Sequence, residues 1–230
     1  MPTLIIAGAT GTLGNEVARR LVGSGNYRKA HILAREPVRT GLAGVELIVC
    51  NGADPAHWSL LEADAAVVMF EPARMFYQRE RALWVPTADQ LPALSAWLHR
   101  CGVRTLVVVM PHAQGQLPAS LQLGFASLTE QSVSALGFER VVWVRNAERR
   151  DLPKPGRSVL QRARELVLSA FSYMVPQSQK PLRAVHVAHA VSLAMQHAPQ
   201  GVHVLGHEML WQATQMGMAQ AVKTWFRQST

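Results

Sequence analysis

Cysteine is almost missing from this chain of 230 residues: Cys50 and Cys101 are the whole supply. Each falls at the end of an expected element with no paired spacing, which argues against a disulfide framework and against zinc-ligand spacing and leaves two reduced thiols. His186 and His189 have the separation of one kind of metal pair, but no carboxylate or third ligand accompanies them, so no metal site is expected. No apolar run reaches the ~18 residues that a membrane-spanning helix needs. The chain enters its first strand after two residues, leaving no room for a charged leader and cleavage site, and it reads as cytoplasmic. Aromatics are scarce at 7%, and the densest basic cluster, "RNAERR", lacks the interleaved rings of a single-strand platform. Specific nucleic-acid binding is therefore not expected, although a formal charge of +8 favours some anionic partner, such as a phosphorylated cofactor or an acidic protein. The arginines are scattered, as on a solvated basic surface.

What the chain has in quantity is apolar sequence, 49% against 17% charged residues, the balance of one compact globular core. Strand-like runs recur at intervals that leave room for helices: residues 4–8, 30–34, 45–50, 64–70, 105–110 and 140–145. Most are continuously apolar, as strands buried on both faces of a parallel sheet must be. Helical patterns lie between them. Glu16 to Val22 is stopped by Gly23 and Gly25, "TADQLPALSAWLHRCG" ends in a glycine, and "SLTEQSVSALG" opens with a Ser127–Glu130 capping-box pattern. Alternation of this kind predicts an α/β, Rossmann-like, doubly wound parallel sheet. After the charged, proline-rich break at 145–157, an amphipathic helix begins near Ser158. The chain thus divides into a Rossmann-like part, 1–150, and a small C-terminal helical cap, 151–230, on the same core.

The opening "LIIAGATGTLG" carries the functional signal. Gly8 permits the tight bend, Gly11 lets the backbone approach a pyrophosphate, and Gly14 allows close helix–sheet packing. Ala9, Thr10, Thr12 and Leu13 complete a loop whose main-chain amides open a helix and can meet an anion. At the end of the second strand, where an NAD-preferring protein places a carboxylate, stand Arg35 and, shortly after, Arg39. Guanidinium groups there suit a 2′-phosphate, so NADP(H) is expected over NAD(H). Asp54 is either a wall of the adenine pocket or the N-cap of a helix before "PAHWSLL". Met69 and Phe70, with Met75 and Met110, read as an apolar floor for the nicotinamide or as plain core.

On "LIIAGATGTLG", "LAREP", "GVRTLVVVM", "GFERVVWVRNA" and "AVHVAHAVSLAM", the chain resembles the atypical or extended short-chain dehydrogenase/reductase family, in its small NAD(P)H-binding "GATGxxG" branch. The resemblance implies a nicotinamide dinucleotide partner and a catalytic serine, tyrosine and lysine. Counted along the chain, those positions hold Met110, Gln122 and Ala126, none able to move a proton. Tyr27, Tyr77 and Tyr173 lie elsewhere, each without a lysine four residues on. His112, after the fifth strand, is either a loop histidine or a substitute acid.

Three functions remain open. One is an NADP(H)-binding regulatory or partner-binding protein without the family's acid–base set. Another is an NADPH-dependent oxidoreductase with a non-standard site, acting on a small carbonyl or similar substrate. The third is a scaffold that binds no nucleotide. The stretch 71–86, "EPARMFYQRERALWVP", mixes arginines with Phe76, Tyr77 and Trp84, and reads equally as a protein-partner surface or as a lid.

Overall fold

The structure is a computed structural model that describes residues 1–38, 43–50, 52, 54–112, 129–147 and 182–228. Seven strands form one sheet: β1 (Thr3–Ala7), β2 (Lys29–Ala34), β3 (Val45–Val49), β4 (Ala65–Met69), β5 (Thr105–His112), β6 (Arg140–Ala147) and β7 (Gly201–Leu205). Their order is β3-β2-β1-β4-β5-β6-β7 and every pairing between neighbours is parallel. The six strands expected from sequence are all present within a residue or two at each end. The order reverses between β1 and β4, which opens a crevice at the strands' carboxyl ends.

Alternate side chains of each strand feed two cores. Leu4, Ile6, Val67, Val107 and Val142 meet α1 (Gly11–Gly23), α5 (Ala184–His197), α6 (His207–Met216) and α7 (Met218–Gln228) on one face. Ile5, Ala7, Val68, Val108 and Trp143 meet α3 (Leu91–Arg100) and Val133, from the helical residues 129–134 (α4), on the other. There Trp58 packs edge-on against Trp84 and Trp97, with ring centroids 4.9 and 5.2 Å apart. Helix α3 follows a short 3₁₀ turn, Ala88–Gln90, whose capping box pairs Thr87 with Gln90. Edge strand β3 departs from the buried pattern: its residues are half-buried or exposed, because among the described residues only β2 pairs with it.

Two readings change. Residues 201–205 are a strand, so the C-terminal part is not purely a helical cap. β7 pairs with β6 in register from Arg140–Gly201 to Val144–Leu205, and the sheet runs on past residue 150. "GVHVL" is short and broken by His203, and pairing with the edge of β6 makes it a strand. The helix expected from Glu16 begins at Gly11, since the glycines at 11 and 14 that read as loop already belong to α1. The amphipathic run near Ser158 and Ser127 of the expected capping box lie outside the described residues. No described helix is long and apolar enough to cross a membrane.

Candidate functional site

The glycine turn links β1 to α1 at the crevice. Gly8 has φ +74°, and a Cβ there would lie 2.0 Å from the Met69 carbonyl oxygen. A Cβ on Gly14 would lie 2.4 Å from the Gly8 carbonyl. Both glycines therefore let backbone pack on backbone, as the bend and the close helix require. Gly11, at φ +69°, differs: the atoms that a Cβ would strike, 2.3 Å away, belong to the Glu71 side chain. The close approach that Gly11 permits is taken by a carboxylate of the same chain.

Glu71 follows β4 and starts a strap, 71–86, that crosses the carboxyl ends of β1 and β2. At its far end Trp84 donates its N–H to Leu33 (2.9 Å) and accepts from Gly8 N–H (3.1 Å), while Arg35 N–H donates to Ala82 (2.7 Å). Leu83 bridges antiparallel to Ala34. The short helix α2 (Gln78–Arg81) holds Glu80, only 5% exposed. Its carboxylate accepts from Gly11 N–H (3.1 Å), Asn15 Nδ2 (2.7 Å), Arg74 N–H (3.0 Å) and Arg74 Nε (2.8 Å), and it also pairs with Arg74 Nη2. Burial alone would raise this carboxyl. The bonds from the Arg74 side chain, the Arg74 and Gly11 amides and Asn15 outweigh it and pull the group down to about 2. Glu71, half-buried, accepts from Leu13 N–H at 2.5 Å, and its main-chain carbonyl takes the hydroxyl of buried Thr10. Helix α1 has no acidic residue in its first turn, so both charges facing its positive end arrive from the strap.

Beside the strap a cavity of about 350 Å³ is lined by Arg35, Cys50, Gly52, Trp84 and Thr87, among others. Arg35, directly after β2, is thus a lining residue of this cavity; Arg39 lies outside the described residues. Burial pushes the Cys50 thiol up to about 12, so it does not ionise near neutrality. Asp54 caps the 3₁₀ turn Pro55–His57 by accepting Ala56 N–H at 2.9 Å, and Gly52, not Asp54, lines the cavity.

Of the apolar floor, Met69 is fully buried in the core beneath Gly8, and Met75 is 74% exposed on the strap. Neither faces the crevice, because Met69 alternates into the helix-packed face and Met75 sits on the strap's outer turn. Phe70 and Met110 are half-buried against the second core. His112 closes β5 opposite Ala147; of these two, only the backbone is described. Gln122, Ala126 and Tyr173 lie outside the described residues. Burial raises Tyr27 to about 12, and Tyr27 precedes β2 at the opposite edge of the sheet. His186 and His189 lie on α5, and no group of three potential ligands gathers among the described residues.

Sequence reasoning missed Glu71, Glu80 and Asn15, and took Arg74 only as part of a partner surface or lid. A faint signal existed: two of the chain's 15 acidic residues, Glu71 and Glu80, fall in the arginine-rich stretch just after β4.

No protein-family model matches the chain, and no curated protein matches it in sequence. Solved structures do match in shape. A Citrobacter sp. triphenylmethane reductase complexed with NADP(H) aligns at TM-score 0.53 and 13% identity, over 87% of this chain and 68% of that one. The fold is a Rossmann-like one. A Staphylococcus aureus nucleoside-diphosphate-sugar epimerase aligns at TM-score 0.54 and 13% identity, over 98% and 88%. A Rossmann-fold NAD(P)-binding family protein from Shigella flexneri aligns at 0.50 and 14%, over 85% and 87%. At these identities the likeness concerns the fold.

Proposed function

We propose that this chain binds a nicotinamide dinucleotide, NADP(H) in preference to NAD(H), and works through that binding and a partner, without the serine, tyrosine and lysine of short-chain dehydrogenases. The observation that carries this reading is the behaviour of the loop amides. Gly11 and Leu13 N–H hold carboxylates brought from 69 and 58 residues away, which supports reading these amides as an anion cradle. Leu13, Thr12 and Thr10 would meet the diphosphate, and Arg35 at the adjoining cavity would meet a 2′-phosphate. When bound, the nicotinamide would supply hydride chemistry. Met110 stands where the family's serine would be and offers no proton. The neighbour bound to NADP(H) supports the cofactor class.

The same contacts also allow the scaffold reading, since both of these amides already have acceptors. Calorimetry with NADPH, NADP⁺, NADH and NAD⁺ separates the two. Binding of NADPH is expected, with preference over NADH lost in Arg35→Ala. No binding of any of the four, by the protein or by Glu71→Gln, leaves the scaffold. Rapid NADPH consumption with a carbonyl panel would instead favour an oxidoreductase.

A further inference from the structure

We infer that Glu71 is a built-in competitor for the dinucleotide's diphosphate: in the resting protein its carboxylate holds Leu13 N–H over Gly11, and ligand binding requires its withdrawal while the Glu80 end of the strap stays in place. The inference rests on the dinucleotide reading above. One amide N–H cannot serve a carboxylate and a phosphate oxygen together, and two anions crowded above Gly11 would repel each other. The tether keeps the carboxylate at high effective concentration beside the loop, so a ligand must outcompete it.

The two ends of the strap differ in what leaving would cost. Glu80 is buried among five bonds, and Trp84 behind it is wedged against Trp58. The Glu71 carboxylate gives up a single amide and can swing out while its main-chain carbonyl keeps the Thr10 hydroxyl, and the next turn, Met75 to Tyr77, is exposed, Phe76 by 90%. Moving Glu71 outward therefore uncovers little apolar surface and breaks none of the Glu80 bonds. Its withdrawal also clears the space over Gly11 that Glu71 Cγ and Cδ fill.

A competitor of this kind discriminates between ligands by their phosphates. NADPH must displace Glu71, whereas adenosine 2′-monophosphate, which has no diphosphate, can use the Arg35 cavity and leave Glu71 seated. Neutralising Glu71 should therefore tighten the first and not the second.

The test titrates the full chain and the variants Glu71→Gln and Glu71→Ala, with exposed Glu62→Gln as a control for net charge, against both ligands. Circular dichroism verifies that each variant is folded. The expected result is NADPH affinity about tenfold higher in both Glu71 variants, the scale set by one charge-assisted bond. Adenosine 2′-monophosphate and the Glu62→Gln control should stay unchanged. Binding of NADPH by the variants alone would be the extreme of the same result. Equal NADPH affinity in all four proteins, or equal tightening of both ligands, overturns the competitor while leaving the dinucleotide reading intact. NADPH binding by none of them overturns the dinucleotide reading itself.

Discussion

Glu71 and Glu80 lie nine residues apart on one strap and reach the same helix end, yet they are held in opposite ways. Glu80 is buried, ties Gly11, Asn15 and Arg74 together, and sits next to the Trp84 anchor. Glu71 is half-buried and holds one amide. The difference teaches that charge at a helix N-terminus does not by itself define a role. A carboxylate with every acceptor site filled is part of the frame, whereas one with a single bond and solvent beside it is free to exchange.

The comparison can be broken at several points, the largest effect coming first. Trp84→Ala should cost about 3–5 kcal/mol in chemical denaturation by leaving a cavity in the tryptophan cluster, whereas Phe76→Ala on the exposed turn should stay within about 0.5 kcal/mol. Equal losses would mean that the strap is uniformly anchored. Glu80→Ala should cost about 1–3 kcal/mol, since it leaves the buried Gly11 amide without this acceptor, against about 1 kcal/mol or less for Glu71→Ala.

The acid limb should carry the same asymmetry. Glu80 is held at about 2, below its ordinary 4.5, so the unfolded chain binds this proton first as pH falls. Its contribution is full above about pH 4.5 and is lost progressively toward about pH 2. Urea midpoints of Glu80→Gln should therefore change less between about pH 6 and about pH 3 than those of the parent. An identical slope would mean that the carboxyl is not depressed. A modest effect is expected at Arg74. Its guanidinium also stacks 3.8 Å above the Tyr77 ring, so Tyr77→Ala should cost about 0.5–1 kcal/mol through this contact at an exposed site. A loss as large as that of Glu80→Ala would show that the ring, not the carboxylate, fixes Arg74.

The sheet was legible because parallel strands enclosed on both faces must be continuously apolar. "LIIAG", "TLVVVM" and "RVVWVR" meet that demand without reference to anything distant. β7 escaped because "GVHVL" opens on glycine and carries His203 at its centre, leaving three apolar residues in a run of five. The glycine turn was legible too, since positive φ and backbone packing at Gly8 leave few other residues possible. Arg35 could be placed because one strand end fixes it. Met69 misled: its position at a strand end suggested the crevice, but the period-2 alternation of β4 turns it inward.

Residue by residue, the sequence determined the order of strand and helix, the bend that starts α1 and the basic residue at the end of β2, because each depends on neighbours within a few positions. Only the tertiary structure decided what stands over the bend. Glu71 and Glu80 reach Leu13 and Gly11 across 58 and 69 residues, and that meeting depends on where the sheet's crossover carries the strap. Local propensity holds no information about such an encounter, since a carboxylate on a loop looks the same in sequence whether it faces water or a helix end.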